Sequence, residues 1–248
     1  MNAEFVASDY DEQWSRLSDY VKHNPGARHR RRLIGEAANA LPEPVQTVLD
    51  VGCGLGEILI DLKRIFPGAH FSGLDISTFA IEACRNAYPD SEFHVANIVD
   101  GPLKTKFDLV VCSEVTEHLS DEQTAIANMR RMTRSGGYLI ITTPHGRIHT
   151  TERSIGHLRH PTRSQIIQWL EQAGFSVERL RQWGWPGYTA LKYAGNLAPS
   201  AVMDHLGQGE YSNRVRMLNN AAYHLTYWLS LPSSSWGPQF VVTARAAD

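Results

Sequence analysis

Hydrophobic residues fall along the chain in two alternating rhythms. Thr47 to Val51, His70 to Leu74, Glu92 to Ala96, Phe107 to Cys112 and Tyr138 to Thr142 are short apolar runs of strand length. Helical patterns separate most of them, and that alternation predicts β-α-β units winding a mostly parallel sheet. Near the end, Gln239 to Ala244 is again β-rich and is expected to insert as a last, antiparallel strand.

Two flanking pieces fall outside the alternating pattern. Residues 1–41 read as a helical N-terminal cap, including an Arg28 to Ala40 stretch ended by Pro42 and Pro44, because proline cannot continue a helix. Residues 185–235 read as an insert. Within it Val215, Leu218, Ala222, Leu225 and Leu229 recur at spacings of three and four, which predicts one amphipathic helix over Tyr211 to Ser230 whose apolar face needs a partner surface. The nearest thing to a spacer is Leu231 to Trp236, about the length of an ordinary connection. With no internal repeat, residues 1–248 read as a single α/β domain with embellishments.

Composition narrows the partners. The net charge is -2 with 20% charged residues, so no overall basic field gathers nucleic acid or an anionic membrane. Cys53, Cys84 and Cys112 are far apart and lack paired metal-ligand spacing, which argues against a disulfide framework or zinc knuckle. The first twenty residues lack a secretory pattern, and no run approaches the roughly 18 apolar residues of a membrane span. A soluble cytoplasmic protein acting on a small molecule is the expectation.

The most informative segment is Val48-Leu-Asp-Val-Gly-Cys-Gly-Leu-Gly56, an apolar strand running into glycines at every second position. Glycine there serves a tight turn and admits a ligand close to the backbone. A dinucleotide fingerprint would be G-x-G-x-x-G, whereas Gly52, Gly54 and Gly56 give G-x-G-x-G with Asp50 two residues ahead. This pattern resembles motif I of the class I S-adenosylmethionine-dependent methyltransferases, and the likeness extends over roughly residues 45–180. The resemblance implies a Rossmann-like, doubly wound sheet of seven mostly parallel strands, a helical N-terminal segment and a C-terminal lid insert. S-adenosyl-L-methionine is the implied cofactor.

Further positions follow from the same resemblance. Asp75, followed by Ile76 at the end of the second strand, matches the ribose-binding acid, and Ser77 is the better helix cap, which frees it. Asn97 stands where relatives usually carry aspartate; its amide oxygen can accept from the adenine amine, while the Ile98 N–H can donate to a ring nitrogen. Cys112-Ser-Glu-Val-Thr-Glu-His-Leu119 is similar to the S-E-V-x-E-H-L segment of many small-molecule methyltransferases, with Ser113 and Val115 flanking the methionine portion and the adenine. The absence of N-P-P-Y weakens a reading as a nucleobase or amide methyltransferase.

Methyl transfer from a sulfonium needs alignment and, for an ionisable nucleophile, a base. His145, His149, His157 and His160 cluster after the fifth strand, on the carboxyl edge where open α/β sheets bind ligands. His145 is the first choice of base and His118 the second. Glu114, Glu117 and His118 form E-x-x-E-H, similar to a metal-ligand segment of some methyltransferases, with His157 or His160 able to complete a set; the expectation is nonetheless no metal. One arginine of Arg28 to Arg32 meets the cofactor carboxylate if the resemblance holds, with no choice among them. Tyr188, Tyr193, Tyr211, Tyr223, Tyr227 and Trp228 suit the insert to a lid. Small-molecule methyl transfer in secondary or cofactor metabolism is the main expectation. The alternatives are other sulfonium chemistry, such as cyclisation releasing methylthioadenosine, and RNA methylation.

Overall fold

The structure is a computed structural model that describes residues 6–206, 209–230 and 236–247. Residues 1–5 of the N-terminal cap and most of the Leu231 to Trp236 spacer fall outside the described residues. The chain begins with α1 (Ala7–Arg16), α2 (Ser18–His23) and α3 (Pro25–Asn39). Asn24 starts α3 by accepting from the Gly26 N–H at 2.8 Å, and Pro25 at the first helical position lacks the donor that would need a partner. There follow β1 (Thr47–Val51), α4 (Glu57–Ile65), β2 (His70–Asp75), α5 (Thr78–Ala87), β3 (Glu92–Val95), β4 (Phe107–Ser113) and α6 (Glu122–Met132). β5 (Thr133–Pro144), α7 (Thr150–Ser154), α8 (Arg163–Gln172) and β6 (Phe175–Trp183) complete the alternating part. The insert holds α9 (Gly187–Gly195), α10 (Pro199–Leu206) and α11 (Asn213–Leu229), and β7 (Gln239–Ala246) returns to the sheet.

The strands form one sheet in the order 3-2-1-4-5-7-6. Strands β1 to β5 pair in parallel, and β7 inserts antiparallel between β5 and β6. The apolar runs are continuous because both faces are covered. Val48 packs into one core layer with Leu59, Leu109 and Ile140, whereas its neighbour Leu49 enters the other with Val110, Met129 and Ile141. The periodicity gave no strand at β6, whose charged Glu178, Arg179 and Arg181 obscure the pattern of an edge strand. The strand order reverses beside β1, and the loops leaving β1 and β4 diverge to opposite faces, opening a crevice at the carboxyl edge.

The helix expected over Tyr211 to Ser230 forms as α11, but its packing face is corrected. Leu218, Leu225 and Leu229 are 62%, 60% and 51% exposed. The other side is held against α3 by polar and aromatic contacts that an apolar count does not register. His29 Nε2 lies 2.8 Å from Thr226 Oγ1, and its ring stacks on Tyr223 at 4.4 Å. Arg28 sits 3.8 Å over the same tyrosine and donates to Asn220 at 2.9 Å.

His29 is fully buried, and burial together with Arg32, Arg28 and Arg30 lowers its pKa from 6.5 to about 3. The unfolded chain therefore takes up this proton first as pH falls, so His29 lowers stability below about pH 6.5, by up to ~1.4 kcal/mol per pH unit. The stability difference between the native chain and a His29→Asn variant should shrink as pH is lowered from neutral toward the folded pKa, as read by urea unfolding. A pH-independent difference would place the imidazole in contact with water.

Candidate active site

At the carboxyl edge of the sheet lies a cavity of about 520 Å3. Its floor is the turn after β1, where Gly52 and Gly54 adopt φ of 70° and 49°. A Cβ on Gly52 would stand 2.2 Å from Val115 Cγ2, and one on Gly54 2.4 Å from the Trp14 ring. Left-handed backbone and close approach from above thus both require glycine. Gly56 ends the turn as the N-cap of α4, also left-handed.

The turn is tied to β2 by Asp75. Its Oδ2 accepts from the Gly54 N–H and its Oδ1 from the Ser77 N–H, each at 2.9 Å. Ser77 Oγ caps α5 through the Ala80 N–H, as expected, yet Asp75 also serves the backbone. A carboxylate has about four acceptor sites, so two backbone bonds leave capacity for a diol. Burial raises the Asp75 pKa, opposed by the hydrogen bonds from Ser77, Gly54 and Ile76. Asp50, beneath the turn, is fully buried with neither oxygen partnered among the described residues. Burial and the nearby Asp75 push its pKa well up. A glycine floor beside the Asp75 carboxylate, with acceptor capacity to spare, fits a ligand that brings donors, as S-adenosylmethionine does with its ribose hydroxyls.

Gly52, Asp75, Ile76, Asn97, Ile98, Ser113, Val115 and His118 all line the cavity. Asn97 Oδ1 already accepts from the Val99 N–H at 3.2 Å, closing its own turn, and Ser113 Oγ pairs with Thr142 Oγ1 at 2.8 Å. Asp50, Gly54 and Gly56 support the floor from behind. His145 lies outside the lining. Its ring packs on Phe240 at 4.4 Å and its Nδ1 is 3.3 Å from the Pro161 carbonyl oxygen, so the first position after the strand faces the β7 side.

Sequence reasoning gave no role to Tyr10, Trp14, Leu17 and Val21, yet all four line the cavity from α1 and α2 and the junction between them. Their i, i+4, i+7, i+11 spacing is helical and was the signal available. Asp11 fixes this cover on α5 through Ser77 Oγ at 2.5 Å and the Phe79 N–H at 3.0 Å. Among the basic run, Arg30 and Arg31 line the cavity. Arg31 is occupied by Glu57 at 3.0 Å and Asp61 at 2.9 Å. Among the described residues Arg30 pairs only with Glu114, at 3.6 Å. Burial works against its charge, but Glu114, Tyr188 and Tyr20 outweigh burial and raise the Arg30 pKa.

Glu114 has a left-handed backbone, φ 56°, rare for a residue with a Cβ. Gln239 Nε2 at 2.7 Å and Thr142 Oγ1 at 3.3 Å fix its Oε1. Beyond it stands a buried group of ionisable side chains. Burial and Glu114 push the Glu117 carboxyl well up, and its Oε1 has no partner among the described residues. His118 is lowered to about 4 by burial, and its buried Nδ1 likewise has no partner. Burial, with His118 and His160, lowers His157 to about 2. His157 Nδ1 and His160 Nε2 are 2.9 Å apart, and Lys192 of α9 meets Glu152 at 2.6 Å. Donor atoms of Glu117, His118 and His157 lie within 4.8 Å of one another, as do those of Glu152, His157 and His160. Imidazole and carboxylate at this spacing are groups that a divalent cation accepts.

Comparison with known proteins gives a consistent family. A model of a methyltransferase domain matches residues 43–180. A probable S-adenosylmethionine-dependent methyltransferase of Mycolicibacterium smegmatis is 30% identical over 139 residues, 53% of this chain and 52% of that protein. A ubiquinone biosynthesis O-methyltransferase of Alkalilimnicola ehrlichii is 32% identical over 103 residues, 39% of this chain and 40% of that protein. The chain thus spans about half or less of the length of these curated relatives. The crystal structure of the N-methyltransferase NodS from Bradyrhizobium japonicum WM9 with S-adenosyl-L-homocysteine shares the fold, with a TM-score of 0.62 at 16% identity over 98% of both chains.

Replacing Asp75 by alanine should weaken binding of S-adenosylhomocysteine by roughly 2–4 kcal/mol, since bonds to a charged acceptor are lost and two N–H groups are left unpaired. Isothermal calorimetry measures this, and unchanged affinity would remove Asp75 from the ribose site.

Proposed function

The chain belongs to the class I S-adenosylmethionine-dependent methyltransferases, and from that membership we propose that it transfers the methyl group to an ionisable oxygen of a small-molecule acceptor. One observation carries the reading: a single cavity runs from Asp75 and Asn97 at the nucleotide end to His118, His157, Glu152 and Lys192 at the other. The cofactor, when bound, supplies an electrophilic methyl on a sulfonium whose leaving group is neutral. The protein's task is then alignment and removal of the acceptor's proton.

Asp75 would hold the ribose, and Asn97 and Ile98 would border the adenine. Arg30 is the arginine suited to the methionine carboxylate, because Arg31 is committed to Glu57 and Asp61. His118 is the candidate base. With its pKa lowered to about 4, the ring stays neutral through the physiological range and keeps a lone pair available. Tyr188 and Lys192 from α9, with Ala222 and Asn219 from α11, wall the acceptor side, which supports reading the insert as a cover over the acceptor. Similarity to a ubiquinone biosynthesis O-methyltransferase supports oxygen as the nucleophile. Among the described residues no helix is long and apolar enough to cross a membrane.

The test is release of S-adenosylhomocysteine from S-adenosylmethionine with a panel of catechols, phenols, carboxylic acids and amines. Turnover with the hydroxyl or acid members supports the proposal. Turnover with amines alone, or methylthioadenosine formed without any acceptor, overturns it. His118→Ala should lower turnover about a hundredfold while leaving S-adenosylhomocysteine affinity unchanged, whereas His145→Ala should retain turnover. Native turnover should show no acid limb from His118 until the pH approaches about 4, in place of the unperturbed 6.5. Loss of turnover in chelator, restored by a divalent cation, would reassign His118 from base to ligand.

A further inference from the structure

The cations that line the cavity each have a carboxylate partner. Lys192 of α9 meets Glu152 of α7 at 2.6 Å, and Glu152 also accepts from the His149 N–H at 2.8 Å. Arg31 is held by Glu57 and Asp61, and Arg30 by Glu114, with Arg30 the side chain suited to the methionine carboxylate. Among the described residues of the lining, therefore, no cation is left over for a negative charge on the acceptor. Nor is a carboxylate left over for a positive one, since Glu57, Glu114 and Glu152 are taken by the same pairs and Asp75 by the turn and the ribose. The remaining polar groups add no charge. Burial lowers the His205 pKa as it does those of His118 and His157, so these rings are neutral near neutral pH. Thr151 Oγ1 is spent on Asn196 Oδ1 at 2.8 Å, which joins α7 to the end of α9, and Asn219 Nδ2 is a neutral donor, buried without a partner among the described residues.

Between these groups the cavity is lined by apolar residues of the helical cover: Val21 from α2, Ile155 at the end of α7, Leu191 and Gly195 from α9, Val202 from α10 and Ala222 from α11. Asp19 ties α2 to the start of α11, accepting from the Tyr211 N–H at 2.6 Å and from Arg216 at 2.9 Å. We infer that the acceptor is a hydroxyl compound with an uncharged, apolar body, whose carbon chain lies among these residues. A carboxylate or ammonium on that body would give up its water without gaining a counterion, and burial of an unpaired charge is costly. A methylene, by contrast, gains from leaving water wherever it meets such a wall. The inference rests on transfer to oxygen, proposed above, and narrows its acceptor; binding and turnover are read separately so that the two can fail apart.

Calorimetry of the full chain saturated with S-adenosylhomocysteine would compare para-methyl-, para-butyl- and para-hexylcatechol with protocatechuate, which carries a carboxylate, and dopamine, which carries an ammonium. Affinity should rise about threefold per methylene through the alkyl series. Butylcatechol should bind at least about tenfold more tightly than either charged catechol. Glu152→Gln keeps an acceptor for the His149 N–H but frees Lys192, and should narrow the preference for butylcatechol over protocatechuate by about tenfold. Ala222→Phe or Val202→Phe, by filling the wall, should end the rise at a shorter chain. A flat alkyl series, a charged catechol bound as tightly as butylcatechol, or a rise unaltered by both phenylalanine variants overturns the inference. Rising affinity without release of S-adenosylhomocysteine from S-adenosylmethionine supports the apolar class of ligand and overturns transfer to oxygen instead.

Discussion

The turn after β1 is the constraint on which the rest of the site depends. Its backbone must curl in the left-handed region at Gly52 and Gly54 while Val115 and Trp14 press on it from two directions. Nothing larger than hydrogen fits, and the consequence is a floor of bare peptide groups in place of side chains. The Gly54 N–H is spent on Asp75, and the Gly52 and Cys53 N–H groups both donate to the Leu74 carbonyl oxygen at 2.8 and 3.0 Å. β1 and β2 are therefore locked together beyond their strand ends, and the acid that would hold a ribose is positioned by the same bonds that shape the floor. Disturbing the turn moves both at once.

A second feature is the density of buried ionisable groups on one side of the sheet. Asp50 and Glu117 are driven toward their neutral forms by burial, and His118, His157 and His160 are kept neutral by the same cause. Mostly neutral groups are the least costly way to keep proton donors and acceptors out of water. Elsewhere in the same wall oppositely charged side chains pair, Lys192 with Glu152 at 2.6 Å and, more loosely, Arg30 with Glu114 at 3.6 Å. Such a wall keeps neutral donors and acceptors beside the cavity, and its imidazoles, lowered by burial, accept a proton only from a group that is itself made acidic.

Much of the sheet was legible in the sequence, and the reasons are local. β1 to β5 announce themselves because both of their faces are buried, and the glycine turn because only glycine satisfies its backbone. β6 was hidden by the charges of an edge strand. Arg30 and Arg31 could not be told apart in the sequence, since only the fold shows Glu57 and Asp61 claiming Arg31. His145 was favoured by its nearness to the strand end, but β5 runs on to Pro144, and the chain leaves it bonded to Pro238 through the His145 N–H at 2.7 Å. The strand's extra residues thus turn the imidazole toward Phe240. Trp14 carried a periodic signal in α1 that acidic neighbours made easy to overlook.

The helical cover follows a different logic from the core, and this bears on what the family fold does here. α11 is held to α3 by His29, Thr226, Tyr223 and Arg28, contacts whose strength depends on direction as well as on area. An apolar inner face would slide and repack with little penalty, whereas a hydrogen bond between Nε2 and Oγ1 at 2.8 Å with a ring stacked beside it fixes one register. Asn219 and Ala222, the residues that α11 gives to the cavity, lie within one turn of those fixed contacts. That wall of the cavity is therefore set by polar bonds to the N-terminal helices rather than by the sheet. Changes in the insert can reshape that end of the cavity while the glycine floor and Asp75, fixed by the strands, stay as they are. A fold in which cofactor and acceptor sites answer to separate interactions is free to keep the first and vary the second, which is how one architecture comes to serve many acceptors.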